Sequence, residues 1–216
     1  MLWPGLAVAQ DKLKIVASFS ILGDIAREIG GERVVVIALI GANADAHVYT
    51  ATPADARALG EARLIVLNGL KFEGWLDRLV KTSGTRGTAV VVTKGITPLM
   101  AEDGHVHDHD HKDTKGHDHA GQPDPHAWQN AANVKIYAAN IRDGLIAADN
   151  AGKAVYEANT TAYVQKLDAL DAEIRSALAR IPQKDRKIIT GHDAFGYFSK
   201  AYGVRFIAPK GVSTEA

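Results

Sequence analysis

Nine histidines are the residues of this 216-residue chain that could bind a transition metal most readily. Six of them crowd into the stretch HVHDHDHKDTKGHDH, and the other three, His47, His126 and His192, stand far apart in the sequence. Imidazole is a common ligand of zinc, copper, nickel and iron. Because the chain has no cysteine, any metal must be held by nitrogen and oxygen atoms alone.

Each of the three separated histidines follows a segment that is predicted to be a β-strand. His47 lies seven residues after an apolar run that ends at Ile40, and His192 comes directly after the run KIITG. His126 follows the fourth predicted strand after a long break. Ligands of an open parallel sheet bind beyond the carboxyl ends of its strands. We therefore expect the three imidazoles to share one crevice; the alternative is that each is an ordinary polar loop residue.

The stretch DPHAW indicates how His126 could be prepared for a metal. Asp124 is predicted to be a helix N-cap, with Pro125 and His126 as the first two helical residues. The positive end of a helix dipole disfavours a protonated imidazole, so we expect His126 to stay neutral and able to ligate. Asp124 and Asp193 are candidate acceptors for the second ring nitrogen of a ligating histidine.

The elements that must position these residues alternate between strand and helix, which predicts an α/β fold with a parallel sheet. The apolar run VVVIALI is predicted to be a strand buried on both faces. Thr52 and Pro53 fit the N-cap and first position of a helix. The predicted strands cover 13–18, 34–40, 64–68 and 88–93, and the predicted helices cover 21–30, 52–62 and 72–80.

The second half of the chain predicts a connecting helix between two (β/α) lobes. A helical stretch runs from 124 to about 148, and a longer helix runs from about 152 to 180. At 1.5 Å per residue the longer helix spans roughly 43 Å, which is more than a helix needs to cover one face of a small sheet. A strand–helix–strand pattern then covers 187–207. The predicted divisions are a residual signal-peptide tail at 1–10, a first lobe at 11–150 with a histidine-rich loop at 104–121, a linking helix at 151–181 and the start of a truncated second lobe at 182–216.

Charge and hydrophobicity argue against a nucleic-acid-binding or membrane-spanning protein. The formal charge is zero with neutral histidines, which gives no electrostatic footprint for nucleic acid. No run reaches the roughly 20 apolar residues of a membrane span. Ala7-Val8-Ala9 fits the small-residue pattern that precedes signal-peptidase cleavage, so we expect an exported protein.

Five segments together resemble one protein family: AHVYTATPAD, NGLKFEGWLDRL, DPHAWQN, YEANTTAYVQKLDALDAEI and GHDAFGYFSKAYGV. The chain is similar to the metal-specific substrate-binding proteins of bacterial ABC importers (cluster A-I), in particular their zinc-binding group. The resemblance covers nearly all of 13–214. It implies two lobes joined by one long helix, a periplasmic location, and Zn²⁺ carried to a permease in the inner membrane. We also expect a monomer, with a periplasmic zinc donor protein as a possible further partner.

The resemblance also implies a ligand set. His47, His126 and His192 match the three histidine ligands of the family. In manganese-type members the residue that corresponds to His192 is a glutamate. The fourth ligand, an acidic residue or water, comes from a region after Ala216. Family members often have prolines around the first ligand that AHVYTATP lacks, so we expect a less rigid loop at His47.

The histidine run itself is predicted to be a disordered loop, because alternating histidine and aspartate build no core. Without fixed geometry its grip on Zn²⁺ should be weak. We interpret it as a zinc-collecting, zinc-sensing or partner-docking loop; the alternative is a solvated loop with incidental affinity. Its accessory ligands would be His105, His107, His109, His111, His117 and His119.

Other functions stay open from the residues alone. A zinc hydrolase would need an open coordination position and a general base, and no HExxH pair is present. A surface adhesin has no direct support in the sequence. The same three imidazoles could hold Mn²⁺, Ni²⁺ or Cu²⁺, although a set of three histidines suits zinc better than manganese.

Overall fold

The computed structural model describes residues 11–47, 49–100 and 121–208. Two parallel sheets, one of four strands and one of two, are joined by a long helix, as the alternating pattern predicts. The elements are β1 (Leu13–Phe19), α1 (Ser20–Gly30), β2 (Val34–Ile40), α2 (Pro53–Glu61), β3 (Leu64–Leu67), α3 (Leu76–Ser83), β4 (Thr88–Val91), α4 (Ala131–Ala148), α5 (Lys153–Ala179), β5 (Lys187–Ile189), α6 (Gly196–Tyr202) and β6 (Arg205–Ile207).

The larger sheet has the strand order β2-β1-β3-β4, so the chain starts in the middle and winds outward in both directions. Helices α1 and α4 cover one face, where Leu22 and Ile141 are fully buried. Helices α2 and α3 cover the other face over Val16 and Ile65. The carboxyl ends of all four strands therefore meet at one edge, where the loops that carry chemistry emerge.

The prediction that VVVIALI is buried on both faces is wrong. Strand β2 lies at the edge of the sheet, and Val35 and Ile37 are 47% and 49% exposed. Helices α2 and α3 pack over β1 and β3 and leave the outer face of β2 uncovered. An apolar run identifies a strand but does not say whether it is central or peripheral.

Capping explains where two helices begin. Thr52 accepts a hydrogen bond from the backbone of Asp55, and the Asp55 carboxylate accepts one from the backbone of Thr52, so α2 starts with the predicted cap completed to a capping box. The predicted start of α4 at Asp124 is wrong. Its cap is Asn130, whose side chain accepts from Ala132, because a short 3-10 turn at Ala127–Gln129 intervenes.

Helix α5 runs for 27 residues, about 40 Å. Its first half packs against α1 and α4 and buries Tyr156 and Leu167. Nearer its end, Asp171 accepts a hydrogen bond from the Tyr202 hydroxyl of α6 at 3.0 Å. The helix therefore contacts both the larger sheet's helices and the element that crosses between β5 and β6. Among the described residues, no helix has the length and apolar composition that crossing a membrane requires.

Candidate metal centre

The three separated histidines lie where strands of the two sheets end. His47 is in the loop after β2, His126 follows β4 and stands just before the 3-10 turn, and His192 follows β5 by three residues. His126 is almost fully buried, and the other two are partly buried. Each residue is carried by a different crossover, so only the folded chain brings them together.

One ring nitrogen from each histidine converges on a common point. The Nε2 atoms of His47 and His126 are 3.2 Å apart, and those of His192 and His126 are 3.3 Å apart. One ligand atom from each of the three residues lies within 4.8 Å of the others. The expected convergence in one crevice is therefore present in the fold.

Asp124 orients the central ring of this group. Its Oδ1 atom accepts a hydrogen bond from Nδ1 of His126 at 2.8 Å and another from the His126 backbone at 2.9 Å. A proton on Nδ1 leaves Nε2 with a free lone pair directed at the other two histidines. The predicted helix-dipole effect on His126 is wrong, since α4 begins five residues later; the Asp124 carboxylate instead sets which ring nitrogen carries the proton.

Hydrogen bonds replace the prolines missing from the loop at His47. The Asp45 side chain accepts from the His47 backbone at 2.9 Å. Two residues on, the Tyr49 hydroxyl donates to Asp55 at 2.8 Å and its ring packs on Trp75 with 4.9 Å between centroids. Side-chain contacts on both sides of His47 therefore restrain the loop that we expected to be less rigid.

The surroundings of His192 favour its neutral form. Burial and the neighbouring His126 lower the pKa of the His192 imidazole, although nearby carboxylates, Asp193 first, act in the opposite direction. A neutral imidazole is the form that binds a metal. Asp193 therefore acts on His192 through its charge, whereas Asp124 makes the direct hydrogen bond to His126.

Aromatic side chains form the wall behind the imidazoles. Phe72 packs edge-on against His47 at 5.0 Å, and Trp128 packs against His126 at 5.3 Å. Phe72 and Trp128 also contact each other and Phe19, with centroids 5.1–5.3 Å apart. This apolar wall keeps water from one side of the site, so a bound cation would interact more strongly with its ligands.

The predicted helix over 72–80 is partly wrong, and its first residues form a turn that supports the site. Gly69, Leu70 and Lys71 have φ values of 85°, 54° and 64°, which turn the chain sharply after β3 and delay α3 to Leu76. This turn places Phe72 beneath His47 rather than on a helix stripe. A side chain on Gly69 would lie 2.5 Å from Val91, so glycine is required there.

A buried carboxylate holds that turn. Glu73 accepts hydrogen bonds from the hydroxyl of Ser18 and the backbone of Asn68 and Gly69 at 2.6–3.0 Å. Burial raises the pKa of Glu73, while these three donors act to lower it. The carboxylate thereby joins the ends of β1 and β3 beneath the histidines.

The Asn68 side chain connects this turn to the segment before His126. Its amide nitrogen donates to the backbone carbonyl of Pro125 at 2.9 Å, and its amide oxygen accepts from the hydroxyl of Tyr137 at 2.7 Å. Asn68, Glu73 and Tyr137 were not among the predicted site residues. The polar residues of NGLKFEG directly after a strand were the available signal.

The six histidines of the run, at positions 105–119, lie outside the described residues. Their accessory role remains a prediction. The sequence-predicted site therefore divides into three imidazoles that the fold brings together and a separate group that the structure does not describe.

The fold and the histidine cluster are those of a metal-binding, substrate-binding protein. Residues 15–216 match the family model described as "Zinc-uptake complex component A periplasmic" (ZnuA), and the chain belongs to this family. A crystal structure titled as that of ZnuA is 30% identical, with a TM-score of 0.78 over 92% of this chain and 70% of that one. This match confirms the predicted fold class.

Curated relatives are named for other metals. The iron-binding protein YfeA of Yersinia pestis is 37% identical over 90% of this chain and 58% of its own length. The manganese ABC transporter substrate-binding lipoprotein PsaA of Streptococcus pneumoniae is 36% identical over 91% of this chain and 61% of its own length. The chain thus spans about three fifths of these relatives. They are binding proteins rather than enzymes, as predicted.

A manganese-bound structure extends the comparison. The Mn-bound periplasmic metal binding protein from Candidatus Liberibacter asiaticus is 28% identical, with a TM-score of 0.77 over 94% of this chain and 71% of that one. The predicted family of metal-binding proteins is therefore confirmed, while its members are named for zinc, iron and manganese.

Proposed function

We propose that the chain is a zinc-binding protein of the periplasm that delivers Zn²⁺ to the permease of an ABC importer. The observation that carries this proposal is the convergence of nitrogen atoms from His47, His126 and His192 within 4.8 Å. The family membership supports the transport role, because relatives are named as substrate-binding proteins of such transporters.

Two of the three separations between the imidazole nitrogens fit a bound zinc ion. Tetrahedral coordination with Zn–N bonds of about 2.0–2.1 Å separates neighbouring nitrogens by roughly 3.3–3.4 Å. The observed separations around His126 are 3.2 and 3.3 Å. In the metal-free protein the same atoms can share a hydrogen bond, because His126 offers a lone pair at Nε2.

The chemistry of the donors favours zinc over a harder metal. Three imidazoles suit borderline cations, whereas manganese prefers carboxylate and carbonyl oxygen. The alternative cargo is another divalent metal such as Mn²⁺, Ni²⁺ or Cu²⁺, and the relatives named for manganese and iron favour that candidate. A fourth ligand, from a carboxylate or water, would complete the zinc site.

The site residues have different roles in binding the metal ion. His47, His126 and His192 replace water around the ion, and Asp124 holds the His126 ring in the orientation that directs Nε2 at it. Protons compete with the metal for these nitrogens, so affinity should fall below roughly pH 6, near the imidazole pKa. The lowered pKa of His192 keeps that ligand available to somewhat lower pH than an unperturbed histidine.

The remaining predictions complete the proposal. Residues 11–150 form the first lobe, 151–181 the linking helix and 182–216 the start of a second lobe, with the metal between the lobes. The histidine run at 105–119 collects Zn²⁺ weakly or docks a zinc donor protein. The protein works as a monomer, and the cargo leaves when the loops around the ligands open at the permease.

Competition titration against a chelator of known affinity, with Zn²⁺, Mn²⁺ and Fe²⁺ in turn, tests this function. We expect one tight equivalent with zinc bound most tightly, and we expect His126→Ala to abolish it. The matched control replaces all six histidines of the run with alanine and should keep the tight equivalent. Tight binding that survives His126→Ala but is lost from the control would reverse the two sites and contradict the proposal.

A further inference from the structure

The hydroxyl of Tyr197 links the helix that follows His192 to the backbone that precedes His126. Tyr197 is the second residue of α6 and only 3% exposed. Its hydroxyl donates to the carbonyl of Asp124 at 2.9 Å and accepts from the N–H of Leu99 at 3.0 Å. The hydroxyl therefore joins two chain segments that are themselves paired, since the N–H of Asp124 donates to the Leu99 carbonyl at 2.7 Å.

Asp124 is held on both sides. Its carbonyl accepts from Tyr197, and its carboxylate accepts from the ring and backbone of His126. The start of α6 also lies against that carboxylate, because a side chain on Gly196 would lie 2.9 Å from Oδ2 of Asp124. A shift of α6 thus acts on the residue that orients the central imidazole.

We propose that Tyr197 is a positioning residue of the metal site. It holds Asp124 so that the His126 ring keeps its Nε2 directed toward His192. His192 lies in the β5–α6 connection and Tyr197, five residues later, in the first turn of α6, so one short segment carries a ligand and the anchor of a second ligand. The proposal rests on the proposed function for the identity of the cargo, but the ring orientation that it describes belongs to the metal-free protein as well.

A purely structural role would be simpler. In that case the hydroxyl only satisfies buried backbone groups, and its loss lowers stability without changing the imidazoles. The two roles differ in their effect on the His126 ring, which a stability measurement does not report.

The test compares Tyr197→Phe with Tyr202→Phe in the full-length chain. Both substitutions keep the ring and remove one hydroxyl of α6, and the Tyr202 hydroxyl bonds to Asp171 and to the backbone of Ala131 at the start of α4 rather than to Asp124. The readouts are zinc affinity by chelator competition and the protonation of the His126 ring nitrogens by ¹⁵N NMR without metal. We expect Tyr197→Phe to weaken zinc binding at least tenfold and to reduce the Nδ1-protonated form, and Tyr202→Phe to match the wild type.

Gly196→Ala provides a second variant that leaves the Tyr197 hydroxyl in place. Its methyl group would crowd the Asp124 carboxylate, so we expect a similar loss of affinity and of the Nδ1-protonated form. Wild-type ring protonation in both Tyr197→Phe and Gly196→Ala would overturn the positioning role, even if both variants unfold at lower temperature. Absence of zinc binding by the wild type would contradict the proposed function instead, and the metal-free spectra would still decide this inference.

Discussion

The Asp124 carboxylate accepts a hydrogen bond from Nδ1 of His126 at 2.8 Å, and this contact fixes which nitrogen of the buried ring faces the other two histidines. Both groups are well shielded, with 14% of the Asp124 side chain and 7% of the His126 side chain exposed. A hydrogen bond of this kind sets the tautomer and orientation of a metal-binding histidine. The geometry of the candidate site therefore depends on an acidic residue that does not itself point at the ion.

Asp124→Asn should weaken zinc binding by about 10- to 100-fold. The amide oxygen can still accept from Nδ1, but without a negative charge it makes a weaker hydrogen bond and holds the ring less firmly. Isothermal titration with a competing chelator measures the change. Asp143→Asn, at an exposed carboxylate that pairs with Arg142, is the control and should bind as the wild type does. Equal affinities for both variants would show that the Asp124–His126 contact is dispensable.

Tyr137→Phe should lower the free energy of unfolding by about 1–3 kcal/mol, because it leaves the buried side-chain oxygen of Asn68 without its donor. Chemical denaturation at constant pH measures this loss. The control is Tyr163→Phe, whose hydroxyl has no hydrogen bond to any residue that the structure describes, and it should change stability by less than about 0.5 kcal/mol. A similar small change for both variants would contradict the supporting role of Asn68.

Lys71→Gly should raise stability slightly or leave it unchanged, unlike most lysine-to-glycine substitutions. Lys71 is exposed and has a φ of 64°, a left-handed conformation that costs a residue with a side chain about 1–2 kcal/mol. Lys81→Gly, within α3, should instead destabilise the protein by about 1 kcal/mol. Thermal unfolding of both variants gives the comparison. A loss at Lys71 as large as at Lys81 would mean that the turn is not strained.

The acid stability of the chain should depend on Asp149. Its carboxylate accepts from the Arg33 guanidinium at 2.7 and 2.9 Å and from the Tyr156 hydroxyl at 2.6 Å. Burial raises the pKa of Asp149, but the hydrogen bonds from Tyr156 and Arg33 outweigh it and lower that pKa below its ordinary value. The folded state therefore binds this proton less readily than the unfolded state does.

A lowered folded-state pKa contributes stability above the unfolded value of about 3.9, and that stability is lost as the pH falls through the folded value. The wild type should thus be more stable than Asp149→Asn at pH 7, and the difference should shrink below about pH 4. Denaturation curves across this range measure it. A difference that stays constant into acid would rule out the linkage.

Much of the fold follows from local patterns in the sequence. The alternation of apolar runs and helical periodicity predicts the parallel sheet and the long helix, and Thr52 and Pro53 mark the start of α2. Burial of β2 was mispredicted, because which strand lies at an edge depends on the order of pairing. The start of α4 was mispredicted too, because the carboxylate of Asp124 bonds to His126 instead of capping a helix.

The meeting of the three histidines was predictable, whereas the side chains that support them were not. His47, His126 and His192 follow strands, and parallel strands end at a common edge, so their meeting could be expected. The roles of Glu73 and Tyr197 depend on contacts between residues 55 to 98 positions apart. No local pattern encodes such contacts. The helix predicted from the apolar spacing of FEGWLDRLV begins only at Leu76, because the left-handed turn at Leu70 and Lys71 precedes it.

The most direct test of the account is the anomalous X-ray scattering of a crystal grown with one equivalent of Zn²⁺, recorded on both sides of the zinc absorption edge. We expect a single strong peak about 2.0–2.1 Å from a ring nitrogen of each of His47, His126 and His192. A fully occupied zinc ion that one or none of these three residues contacts would contradict the account.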